Sequence, residues 1–136
     1  LHSTQHFLLL PQQIMTKLFL ILGSLSAFTG VALGAFAAHF LKQKISPDML
    51  AIFEVAVRYQ MYHALGLFGI ALLDNQFQNI QLAPIGWLFI IGTILFSGSL
   101  YALSLSGMKW FGAITPLGGL CFLAGWLWLV WRVWKY

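Results

Sequence analysis

Four histidines, three acidic side chains and one cysteine are the obvious chemical groups of this 136-residue chain. Their spacing excludes most familiar chemistry. His39 and His63 stand apart, with neither a C-x-x-C-H nor an H-E-x-x-H pattern, so a zinc or haem site lacks the acid or thiolate needed to complete it. Serines accompany the histidines, but Asp48 and Glu54 lie outside or at the membrane surface and Asp74 lies at the far end of its helix. No carboxylate is placed to orient the imidazole of a Ser-His-acid hydrolase. Ion pumping calls for a carboxylate or paired charges in mid-membrane, and none is present. Cys121 sits in an apolar run, where a lone cysteine acts as a small hydrophobe and excludes an intramolecular disulfide. Ser97-Gly98-Ser99 and Gly118-Gly119 have no phosphate-loop context. The expectation is a protein that is not an enzyme and needs no metal or cofactor.

What remains is a set of polar side chains that converge at one end of the chain's helices. They are His39, Arg58, Tyr59, Gln60 and His63, then Ser97, Ser99 and Tyr101, then Thr115 before Pro116. Tyr59 and His63 are four residues apart and Gln60 and His63 three, so all three can share a helix face. Ser97 and Tyr101 share another. At membrane depth such groups must find partners inside the protein, because hydrocarbon offers none. Two readings stay open. Either the histidines are satisfied by backbone or hydroxyl groups and hold helices in register while Arg58 snorkels to the headgroups, or the set lines an intramembrane pocket with His63 as its titratable member.

The elements that carry these residues are transmembrane helices. Hydrophobic residues make up 60% of the chain and only ten side chains are Lys, Arg, Asp or Glu. Uncharged runs of 24 residues separate Lys17 from Lys42, and of 22 separate Lys109 from Arg132; the 34 between Asp74 and Lys109 hold a short connector and another span. A bilayer core takes about 20 helical residues. The spacing predicts an all-α integral membrane protein: four transmembrane helices in an up-down-up-down antiparallel bundle, over about 18–41, 47–73, 82–105 and 110–134. The second is the least apolar span. Residues 1–14 lack the pattern and read as a non-native or unstructured leader before Met15-Thr16-Lys17, taking His2 and His6 with them.

Local signals sharpen this outline. Gly23, Ala27, Gly30, Gly34 and Ala38 recur at steps of four and three, a small-residue face for close helix contact. Gly98, Gly118, Gly119 and Gly125 suggest similar contacts later in the chain. Ser46-Pro47 is a helix start, and Ser106-Gly107-Met108-Lys109 a tight hairpin. Thr115-Pro116 predicts a mild kink near the start of the fourth helix. Trp126, Trp128, Trp131 and Trp134 form an interfacial aromatic belt. Both termini then share one side, which the near-even distribution of basic residues places only weakly in the cytoplasm. The net charge of +4 is scattered, so nucleic acid is not an expected partner.

Four stretches carry a family resemblance: Leu33-Gly34-Ala35-Phe36-Ala37-Ala38-His39; Arg58-Tyr59-Gln60-Met61-Tyr62-His63-Ala64-Leu65; Phe96-Ser97-Gly98-Ser99-Leu100-Tyr101; and Thr115-Pro116-Leu117-Gly118-Gly119 with Phe122-Leu123-Ala124-Gly125-Trp126. In this order they resemble the small membrane proteins catalogued as domain of unknown function 423, which are similar to the eukaryotic transmembrane protein 256. The family pattern has glycine where this chain has Ala37. The resemblance implies four spans and a bacterial inner-membrane or organellar location, and implies no reaction. The expected role is a non-catalytic module associating with lipid, a membrane-protein partner or further copies of itself. The alternative is a small oligomeric transporter or channel-like protein using the pocket around His63.

Overall fold

Ser46 illustrates how local chemistry sets the helix limits. Its Oγ accepts the Met49 N–H at 3.2 Å, and Pro47 opens the helix where a missing N–H costs nothing. The structure, a computed structural model, describes residues 2–136, with side chains from Pro11 onward. Helix α1 covers His2–His39, α2 Pro47–Gln76, α3 Ala83–Ser106 and α4 Thr115–Lys135; no strand occurs among the described residues. Short 3-10 segments, Leu41–Gln43 and Lys109–Ala113, precede α2 and α4.

Several limits differ from those expected. The first helix extends upstream of Leu18 through Pro11 to His2, and its side chains at His2 and His6 lie outside the described set. The segment from Lys109 to Ala113 forms a 3-10 turn, so α4 starts five residues later than its apolar run. Pro116 therefore falls in the first turn of α4. There its missing N–H breaks no internal bond, and the expected kink is unnecessary. Gly107 ends α3 in the left-handed region, φ 73°, and its N–H bonds to Leu103 O at 2.8 Å.

The glycines of α1 meet α2 in reverse order. A Cβ on Gly23 would come within 3.2 Å of Ala64 O, one on Gly30 within 2.6 Å of Met61 Sδ, and one on Gly34 within 3.4 Å of Val57 Cγ1. The small face then closes on Ala37, which is buried, whereas Ala38 is exposed. A step of three follows the helix more closely there than a second step of four. Phenylalanine rings cover three glycines further along the chain: Phe19 over Gly86, Phe122 over Gly92 and Phe89 over Gly125. Gly118 lies so close to α3 that a Cβ would fall on the Phe96 backbone nitrogen. Gly119 is looser, and Gly98 is exposed with nothing nearby, so neither makes the tight contact expected of it.

Burial and composition are inverted relative to a soluble bundle. The exposed faces of α1 and α4 carry Phe28, 72% exposed, and Leu127, 69%, with Leu25, Val31, Leu123 and Val130. Large apolar side chains facing outward in this number require lipid around them. Pro11–Gln43, Ala83–Ser106 and Lys109–Lys135 are each long and apolar enough to cross a membrane. Helix α2 is as long but more polar. It is also the shielded helix, with Ala56, Gln60, His63, Ala64, Leu67, Ile70, Ala71 and Asp74 all buried against its neighbours. Side chains that face protein rather than lipid can afford polarity if they are hydrogen-bonded. The chain is an all-α, multi-pass membrane protein.

Candidate functional site

The predicted polar set separates into two bonded groups and a remainder. Gln60, 6% exposed, is the centre of the first. Its Nε2 donates to Ser26 O and to Thr29 Oγ1, both at 2.8 Å, and its Oε1 accepts the Tyr101 hydroxyl at 2.7 Å. One amide thus ties α1, α2 and α3 together. Ser97 adds a second α2–α3 tie, donating to Ala56 O at 2.7 Å.

His63, 5% exposed, anchors the second group. Its Nδ1 lies 2.8 Å from Tyr59 O, one helical turn back, and Trp126 Nε1–H donates to its Nε2 at 3.1 Å. The indole can only donate and the carbonyl can only accept, so the partners assign the ring as Nδ1–H with a bare Nε2. Every hydrogen-bonding position of the imidazole is then occupied. The ring also stacks on Phe122, 3.5 Å between centroids and 6° between planes, with Phe89 edge-on at 5.1 Å. Ser99 and Thr115 join α3 to α4 through their hydroxyls, 2.6 Å apart.

The other predicted members stay outside. His39 and Arg58 are exposed, and Tyr59 is partly exposed, giving its carbonyl to His63 and its ring to Phe96 at 4.6 Å and to the edge of the His63 cleft. Helical spacing allows Tyr59 and His63 to share a face, but the rotation of α2 turns that face partly outward. In exchange, sequence spacing misses three partners. Ser26 acts through its backbone carbonyl, Thr29 lies in an apolar helix, and Trp126 reads as part of the aromatic belt. Asp74 is also missed: it is buried, and its Oδ1 accepts the Leu82 N–H at 2.7 Å, fixing the turn into α3.

Two cavities flank His63. One of about 160 Å³ lies among α1, α2 and α3, bordered by Leu22, Ser26, Leu67, Phe89 and Thr93. The other, about 320 Å³, is a cleft between α2 and α4, bordered by Tyr59, Phe96, Phe122, Leu123 and Trp126. Neither has a carboxylate, thiol or second imidazole. No group of three or more His, Cys, Asp or Glu among the described residues is arranged to hold a metal ion.

Comparison with known proteins places the chain. A family model described as "Protein of unknown function (DUF423)" matches residues 33–119. The chain belongs to this family. Similar relatives include UPF0382 membrane proteins of Staphylococcus haemolyticus, 47% identical over 88% of this chain and 98% of the relative, and of Staphylococcus saprophyticus, 47% over 84% and 94%. The UPF0382 membrane protein YwdK of Bacillus subtilis is 46% identical over 88% of this chain and 98% of its own length. No solved structure matches. In this DUF423 chain the matched segment holds Gln60, His63, Ser97, Ser99, Tyr101 and Thr115, while Thr29 and Trp126 lie outside it. The bacterial relatives and the helices together make it a small integral membrane protein.

Proposed function

We propose that this DUF423 protein is a non-catalytic membrane module whose polar side chains hold four antiparallel spans together and whose apolar exterior associates with lipid or a membrane partner. The observation that carries this reading is the saturation of Gln60 and His63. A general base or a relay needs a nitrogen available to substrate or water, and both ring nitrogens of His63 are engaged by protein. On this reading α2 crosses the bilayer as the inner helix, its polarity compensated by bonds to α1, α3 and α4. The up-down-up-down topology puts both termini on one side, and the motif likeness to transmembrane protein 256 extends the same plan to that protein.

One observation favours a second reading. His63 borders both cavities and so stands between them, as a gating residue in a small oligomeric transporter would. Proteoliposomes of the full chain and of His63→Ala distinguish the two. The module reading expects no His63-dependent proton or potassium flux and a less stable variant. A flux abolished by His63→Ala, with stability unchanged, would replace it with the transporter reading.

A further inference from the structure

We infer that the end of α4 at Arg132 binds the phosphate of an anionic membrane lipid. The inference rests on the module reading and names one of the lipids such a module would hold. The connector from α2 to α3 turns back over α4 with two non-glycine residues in the left-handed region, Asn79 at φ 67° and Gln81 at φ 57°. Such a conformation is uncommon outside glycine and persists where surrounding contacts fix it. Here the contact is to Arg132: its Nη2 donates to Gln81 Oε1 at 2.9 Å, with Gln81 O at 3.5 Å. One edge of the guanidinium fork is thereby held in place.

One donor of the fork, Nη1, is left for a ligand. Nε is closed off without a hydrogen-bond partner, and Nη1 forms no hydrogen bond among the described residues. Lys135 stands beside it, and with Asn79, Ile80 and Tyr136 the two cations border a pocket of about 100 Å³. Asp74, the acid at this end of the bundle, is committed to Leu82 N. Two cations therefore border a small, polar pocket whose lining includes no acidic side chain, at the edge of a low-dielectric region where unbalanced charge is costly.

Depth and geometry point to the missing anion. The Arg132 guanidinium lies 5.7 Å from the Trp131 ring centroid, and Trp131 and Trp134 are exposed around it. Tryptophans on the outside of a membrane helix end mark headgroup level. The free Nη1 of the guanidinium and the neighbouring Lys135 ammonium can each donate to a phosphate oxygen. Basic pockets at this level between membrane helices bind anionic headgroups. Attraction to the negative helix terminus explains basic residues in the last turn of α4, but it explains neither the connector's hold on Arg132 nor the pocket between them.

The test uses the full chain, delipidated in neutral detergent, with binding of phosphatidylglycerol followed by native mass spectrometry. Phosphatidylcholine and inorganic phosphate are run in parallel. One phosphatidylglycerol should bind in preference to phosphatidylcholine, and should weaken about five-fold for each of Arg132→Gln and Lys135→Gln. Lys109→Gln, which removes the same charge at the opposite end, should leave it unchanged. Equal weakening by Lys109→Gln, or no weakening by Arg132→Gln and Lys135→Gln, would overturn the site. Inorganic phosphate occupying it as tightly would overturn the lipid as its source. If Arg132→Gln does not accumulate, Lys135→Gln carries the same comparison. Failure here leaves the module reading standing, because that reading is decided by His63-dependent flux.

Discussion

The seam between α3 and α4 and the knot around α2 join helices by different means. Along the seam, backbones approach until a glycine hydrogen is all that fits: Gly118 against Phe96, Gly92 beneath Phe122, Gly125 beneath Phe89. Around α2, where Gly23 and Gly30 of α1 also allow close approach, side-chain hydrogen bonds add the ties, from Gln60 to α1 and α3 and from His63 to α4. Lipid supplies no hydrophobic drive to bring helices together, so association must come from close packing or from polar bonds. The difference teaches that polarity inside a membrane bundle need not signal a working site. It can mark the helix that is surrounded on most sides and has the least lipid to face.

The comparison is broken most severely by closing the seam. Gly118→Ala puts a methyl on the Phe96 backbone, which cannot yield as a side-chain tip can; a loss of about 3 kcal/mol is expected. Reversible unfolding in mixed neutral and anionic micelles measures it, and an unchanged midpoint would show that α4 is not seated as described. Gln60→Leu comes next. It removes three bonds and leaves Tyr101 and Thr29 without their partner, for a loss of about 2 kcal/mol by the same assay.

Single ties should matter less. Trp126→Phe deletes the donor to His63 and some indole packing on Phe89, and should cost about 1 to 2 kcal/mol. Ser97→Ala deletes only the bond to Ala56 O and should cost about 0.6 kcal/mol. A double-mutant cycle of Trp126→Phe with His63→Phe should return a coupling of similar size, and additive effects would remove that tie from the account. At the small end, Gly98→Ala and His39→Ala should change stability by less than about 0.5 kcal/mol. Gly98 has open space around it and His39 is exposed, so a large loss in either would place an unseen contact there.

Much of this architecture is legible in the sequence because its signals are local or compositional. Uncharged runs mark three of the helices, Ser46-Pro47 and Gly107 mark turns through their own backbone chemistry, and the glycine steps of α1 trace its contact with α2. The bonded residues are harder to read. Ser26 takes part through a carbonyl, which no side chain announces. Trp126 looks like its neighbours Trp128 and Trp131, and only the azimuth of α4 turns its indole toward His63. Arg58 and Tyr59 precede Gln60 in sequence, yet a helix turns about 100° per residue, so they are exposed while Gln60 is buried. Asp74 reads as the start of a connector because its role depends on Leu82, eight residues on, folding back to it.

The central claim is that His63 is a fixed tie and not a site open to exchange. Nitrogen-15 NMR of the full chain in bilayers, with labelled histidine and a His63→Gln variant to assign the signal, reads this directly. The account predicts a single His63 tautomer at neutral pH, protonated on Nδ1, with Nε2 bare and hydrogen-bonded to the Trp126 indole. A proton on Nε2, or rapid exchange of the ring protons with water, would contradict it and return His63 to the list of working residues.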